Sequence, residues 1–163
     1  MVFVRVHSMK NYLSAEQKRE LGDKLIAAVA EVEQLRNTAR HQQTSWVQYY
    51  EFEPDNWYNP NPLGDPAAQL QVDVIAPEKL LQMPEDAKLA VEKVTAAVRS
   101  ITGEGLLPAQ GPWVHVYVLP HLNFGMDGTI PNWDGWRAYF KADTPEEAER
   151  AFDLVFGRDL KKD

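Results

Sequence analysis

Apolar and polar residues alternate from the second position, Val2-Phe3-Val4-Arg5-Val6-His7, which is the period of a half-buried β-strand. A turn follows, and Ser14-Ala15-Glu16-Gln17 has the form of a capping box, predicting a helix in which the serine hydroxyl accepts from the third helical amide and the glutamine reaches back. Leu21, Leu25, Ala28, Val32 and Leu35 then step by four and three along one helical face, with Lys18, Arg19, Asp23 and Lys24 outside it. Trp46 to Phe52 reads as a second strand, broken at Glu53-Pro54-Asp55-Asn56-Trp57.

The second half repeats this order. Leu70, Val72 and Val74 alternate, Pro84-Glu85-Asp86 suits a helix start, and Ala87, Val91, Val94, Val98 and Ile101 form the next stripe, with Gly103 at its end. An offset of 66 residues superposes the stripes and lays Val4 and Val6 on Leu70 and Val72, Gln48, Tyr50 and Phe52 on Val114, Val116 and Val118, and Pro54 on Pro120. The expected architecture is α+β: two fused β-α-β repeats, one four-stranded mixed sheet, and helices on one face. Repeat one spans 1–58 and repeat two 67–130, together forming one domain over 1–130. The turn-rich segment from Asn59 to Pro66 joins the repeats, and 131–163 forms an extension with a C-terminal helix capped at Thr144.

Composition narrows the function. The 163 residues carry a formal charge of −7, which disfavours nucleic acid as a partner, and no apolar run is long enough for a membrane span. The chain has no cysteine, so disulfides, thiolate metal sites and cysteine nucleophiles are excluded, and with no leader-like stretch the expected location is cytoplasmic. With the helices over Val4, Val6, Leu70, Val72, Val114, Val116 and Val118, the opposite sheet face would carry Phe3, Arg5, His7, Tyr49, Glu51, Gln71, Asp73, His115 and Tyr117. Water can cover such a face, but Tyr49, Trp113 and Tyr117 favour cover by other subunits. His7 and His115 are candidates for an acid-base pair, for a metal site with Asp73 or Glu51, or for interface hydrogen bonds. No close metal-ligand motif is present, and neither metal nor cofactor is expected. Arg5 would meet an anionic ligand or pair with Glu51 or Asp73. Trp57, Trp133 and Trp136 would wall a pocket or pack under the tail, and His41 and His121 read as loop residues.

The segments VFVRVHS…LSAEQKRELGDKL, PEDAKLAVEKVTAAV and WVHVYVLPHLNFGMDGTIP resemble the tautomerase superfamily, in particular fused members similar to cis-3-chloroacrylic acid dehalogenase and fungal tautomerases. The resemblance covers residues 2 to 130. It implies a cofactor-independent proton transfer, either keto-enol tautomerisation or hydration, on a small unsaturated or 2-keto acid, in a homotrimer, with an amino-terminal proline as acid or base. Here Val2 follows Met1, so removal of Met1 would expose a primary amine on Val2 in place of the proline, and retention would set the amine one residue out. Where the dehalogenases carry two arginines and a histidine, this chain has Pro77, Leu80 and Val29, with Lys79 nearby. Tyr117 aligns with the family's site tyrosine, and Asp127 lies within a residue of its water-activating carboxylate. The resemblance thus implies Val2, Arg5, Tyr117 and Asp127 as catalytic residues, and His7, Lys79, His115 and Trp57 around the substrate. Two rival readings are an oligomeric binding or structural member without activity, and a ferredoxin-like dimeric α/β barrel.

Overall fold

The computed structural model describes residues 2–33, 39–58, 70–78, 81, 84–103, 111–120, 123–126, 128–130, 132, 134–135 and 138–139. The expected C-terminal helix, the joining segment 59–66, and Met1, Leu35, Lys79, Leu80, His121, Asp127, Trp133 and Trp136 lie outside the described residues. The order is β1 (Phe3–Met9), α1 (Ala15–Val32), α2 (Ala39–Thr44), β2 (Trp46–Phe52), a 3-10 turn at Pro54–Asn56, β3 (Leu70–Pro77), α3 (Pro84–Thr102) and β4 (Trp113–Leu119). The sheet runs β2-β1-β3-β4, parallel within each half and antiparallel where β1 meets β3. A ferredoxin-like fold would split each β-α-β unit with an intervening strand. Here β1 lies directly beside β2, and β3 beside β4, so that alternative is excluded.

Both long helices cover one face. The Ser14 hydroxyl accepts from the Gln17 amide at 3.1 Å and the Gln17 side chain accepts from the Ser14 amide at 2.9 Å, the reciprocal cap that the sequence announces. Beneath the helices, Val4, Val6, Val72 and Val74 meet Leu21, Leu25, Val29, Ala90, Val94 and Val98, all essentially without solvent contact. Burying a valine or leucine side chain contributes about 1.5–3 kcal/mol. α1 and α3 also join at the surface, through Lys24 Nζ to Ser100 Oγ at 2.9 Å and Lys93 Nζ to Glu31 Oε1 at 2.7 Å.

The offset of 66 is overturned. At the end of β2 the amide of Lys10 donates to Phe52 O, and at the end of β4 the amide of Glu78 donates to Leu119 O. Lys10 therefore answers to Glu78, Phe52 to Leu119, and Trp46 to Trp113, the residues that open β2 and β4. Val4 falls on Val72, and Arg5 on Asp73, the residue opposite it in the β1/β3 pairing. Likewise Leu21, Leu25 and Val29 answer to Ala90, Val94 and Val98, while Val91, expected in the stripe, is 39% exposed.

This register also corrects the faces of β2. Val4 pairs with Val47 and Val6 with Tyr49, so Val47 and Tyr49 lie under the helices, where the Tyr49 hydroxyl donates to the carbonyl of Lys18 in α1. Glu51 turns to the same side and pairs with Lys18 Nζ at 2.8 Å. The residues that share the open face with β1 are Trp46, Gln48, Tyr50 and Phe52. A one-residue slip exchanges every side chain of a strand between faces.

Candidate functional site

The open face is ordered in ranks across the four strands. Trp46, Phe3, Ile75 and Tyr117 form one, Gln48, Arg5, Asp73 and His115 the next, and Tyr50, His7, Gln71 and Trp113 the third. The aromatic residues sit at the outer strands, with Trp46 at 55%, Trp113 at 60% and Tyr117 at 47% exposure.

In the middle of this face Asp73 is almost wholly buried and collects three donors. His7 Nε2 lies 3.1 Å from Oδ2, His115 Nδ1 lies 3.1 Å from Oδ1, and Gln71 Nε2 donates to Oδ1 at 2.9 Å. Both histidines point onto the carboxylate at hydrogen-bond distance, which is longer than a metal-ligand bond. Among the described residues no group of three or more such side chains is arranged to hold a metal ion. The ring of His7 is fixed further by stacking on Tyr50 at 5.1 Å, and the ring of His115 by an edge contact with Tyr117 at 6.2 Å.

Arg5 sits beside this cluster without joining it. The expected partners are already taken, Asp73 by the histidines and Glu51 by Lys18 on the other face. Its guanidinium lies 6.0 Å from the centre of the Tyr50 ring, and among the described residues it makes no ion pair. Val2 is 1% exposed and packs in the core. Its carbonyl accepts from the amide of Trp46 at 3.2 Å, and Phe3, next along, packs on Trp46 and on Phe124. The structure therefore brings Tyr117 into the same rank as Phe3, two strands away, and places Arg5, His7 and His115 in the adjacent ranks. Trp57 is not part of this group: it packs on Phe52 at the far end of β2, a strand length from Val2.

A second cluster lies beneath the start of β1, among residues for which the sequence reading holds no role. Glu33 caps the end of α1, His41 lies in α2 rather than in a loop, and both side chains are wholly buried. His41 Nε2 is 2.6 Å from Glu33 Oε2 and 3.3 Å from Ser45 Oγ, and Ser45 immediately precedes Trp46. Burial alone would raise the Glu33 carboxyl, but the positive charge of the amino terminus, together with the hydrogen bond and charge of His41, outweighs it and holds the group below its ordinary value. One signal for Glu33 was present: Leu21, Leu25 and Val29 step by four, and the next step inward is Glu33. His41 had no such pattern.

The fold is shared with solved structures of fused 4-OT and cis-3-chloroacrylic acid dehalogenase family proteins. It is similar to R7 fused 4-OT, a wild-type asymmetric trimer, at 17% identity and a TM-score of 0.63 over 78% of this chain and 94% of that one. It is similar to N1, a member of the cis-3-chloroacrylic acid dehalogenase family, at 16% identity and a TM-score of 0.61 over 93% of this chain and 99% of that one. Pt0534 inactivated by 2-oxo-3-pentynoate matches at 21% identity and a TM-score of 0.61, over 78% of this chain and 94% of that one. No protein-family model and no curated protein matches the sequence. No helix among the described residues is long and apolar enough to cross a membrane.

Proposed function

We propose that this protein catalyses proton transfer, as keto-enol tautomerisation or hydration, on a small unsaturated or 2-keto acid. In this reading the amino-terminal amine carries the proton, Arg5 attracts the substrate carboxylate, and Tyr117 assists at the other end of the rank that begins at Trp46. One observation carries it. The amino end of β1 is buried and tethered, Val2 by its side chain and by the bond from Trp46, while Arg5 on the same strand keeps its guanidinium free of ion pairs among the described residues. A fixed amine with a nearby unspent cation is what an acid-base catalyst for a carboxylate needs. A homotrimer closing the open face is part of the proposal. Trp46, Tyr50, Trp113 and Tyr117 supply its apolar contact, and structures of similar fold are described as trimers.

A second reading, of a binding member without catalysis, draws on Pro77 and Val29. Both are buried structural residues at places where the dehalogenases carry functional ones. Ketonisation of phenylenolpyruvate by the purified protein separates the two readings. Saturable acceleration over a buffer blank, lost when the amino terminus is acylated, is the expected result. A rate equal to the blank at every pH favours the second reading.

A further inference from the structure

The groups on the open face that carry charge, or gain it with a proton, are few and central. Across the four strands they are Arg5 and His7 on β1, Asp73 on β3 and His115 on β4, with the phenols of Tyr50 on β2 and Tyr117 on β4 beside them. With both imidazoles neutral, Arg5 and Asp73 cancel and the face has no net charge. With both protonated it has two positive charges, and no other strand residue on that side offers a carboxylate. Glu51 lies on the helix side with Lys18, and beyond the end of β1 Lys10 and Glu53 match one another at 2.5 Å.

The hydrogen bonds set how the cluster takes up protons. A carboxylate only accepts, so each ring turns an N–H toward Asp73, Nε2–H from His7 and Nδ1–H from His115. The outward nitrogens, Nδ1 of His7 and Nε2 of His115, have no hydrogen-bond partner among the described residues, and the His115 side chain is 40% exposed. Each neutral ring therefore offers a bare acceptor away from Asp73, and a proton turns it into a cationic donor. Asp73 supplies one negative charge for two rings and Arg5.

We propose that the cluster of His7, Asp73 and His115 makes the packing of copies of this chain over the open face dependent on pH, with copies joined while the imidazoles are neutral and separated once both are protonated. Closing the face takes Trp46, Tyr50, Trp113 and Tyr117 out of water, which favours contact. It also takes the cluster out of water, and charge so withdrawn is tolerated only where a counter-charge meets it. Every copy brings the same cluster, so charge gained on one face is gained on all. Water stabilises an imidazolium on the open face and is absent from the closed one. Protons therefore bind preferentially to separated copies, and a falling pH favours separation. Arg5 and Tyr117 share this face, so the proposed site comes apart with the assembly.

The inference rests on the homotrimer of the proposed function, and one experiment separates the two. Sedimentation velocity of the intact protein is measured at about pH 8 and about pH 5, the ends of the interval in which imidazoles change charge, with far-UV circular dichroism at each. The expected result is a trimer at the higher pH and, at the lower, a concentration for half-dissociation raised by at least about tenfold with the circular dichroism unchanged. In the double variant His7→Gln with His115→Gln, which keeps amide donors and takes up no proton, that concentration should be the same at both pH values. His115→Gln alone, at the more exposed ring, should show a smaller shift than wild type. A trimer equally stable at both pH values overturns the inference and leaves the trimer standing. Full acid dissociation in the double variant, or in His115→Gln alone should the double variant not fold, also overturns it, as does dissociation accompanied by loss of helix. A monomer at both pH values removes the inference and the homotrimer together. An assembly of another size that parts in acid, and does not in the double variant, upholds the cluster's role and removes the trimer.

Discussion

The two halves of the sheet place different chemistry at one equivalent point. At the end of α1 stands Glu33, wholly buried against His41, whereas the matching position at the end of α3 is Thr102, part-buried, its hydroxyl donating to the carbonyl of Val98 at 3.2 Å. Thr102 satisfies itself within its own helix. Glu33 draws on two other segments. The two halves repeat their packing closely, with Leu21, Leu25 and Val29 answering to Ala90, Val94 and Val98, so packing alone gives no reason to place a carboxylate at the end of one long helix and a threonine at the end of the other.

Exchanging the two positions tests this comparison most severely. Glu33→Ala leaves buried His41 without its carboxylate and should cost about 3–5 kcal/mol in urea unfolding, because one member of a buried pair loses its partner. Thr102→Ala should cost about 1 kcal/mol, the worth of one hydrogen bond. Similar losses at the two sites would end the claim that the halves differ. The double change Glu33→Thr with His41→Leu, which makes the first half like the second, should recover at least half of the loss seen in Glu33→Ala, since apolar replacements of buried pairs are often neutral.

A smaller effect lies in acid. The folded value of the Glu33 carboxyl is below its unfolded value of 4.5, so its stabilising contribution is complete above that value and is lost as pH falls through the folded one. Wild-type stability measured by chemical denaturation should therefore decline below pH 4.5 more steeply than that of Glu33→Gln. Equal slopes would mean that the carboxyl is not held ionised. The smallest effect contrasts Tyr49 with Val116, its counterpart in β4. Burial, with the negative charge of Asp23 adding to it, pushes the Tyr49 phenol up to about 12 from 10.0. The folded value is raised, so this contribution is intact below 10.0 and fades as pH climbs toward 12. Tyr49→Phe should flatten the alkaline limb, with Val116→Ile as a control that leaves it unchanged.

Much of the architecture was legible because its signals are local and periodic. The capping box at Ser14, the spacing of Leu21 and Leu25, and the alternation of Val2, Val4 and Val6 each report on a few consecutive residues. The pairing of the halves was less legible. Pro54 and Pro120 coincide at an offset of 66, yet both lie beyond the strands, so they record where the strands stop and not which residues face each other. In β2 the run Trp46-Val-Gln-Tyr-Tyr-Glu-Phe52 gives both faces aromatic residues, and periodicity alone does not say which are inside. On the open face, Arg5, His7, Asp73, His115 and Tyr117 were found by alternation, which needs only the strand itself. The Glu33 and His41 pair depends on three segments meeting in space, and only the four-residue step from Val29 pointed to its first member.

The opposition of Arg5 and Asp73 at the centre of the sheet has a consequence for symmetry. Two identical chains joined about a twofold axis must place every residue on that axis against its own copy, so a lone arginine there would confront an arginine. Two repeats in one polypeptide are free of that constraint, and here the central position is cationic on β1 and anionic on β3. The aspartate, facing an arginine and not a second aspartate, organises two histidines around a single carboxylate. A single chain thus permits an asymmetric charge pattern at the middle of a sheet whose strand order is symmetric.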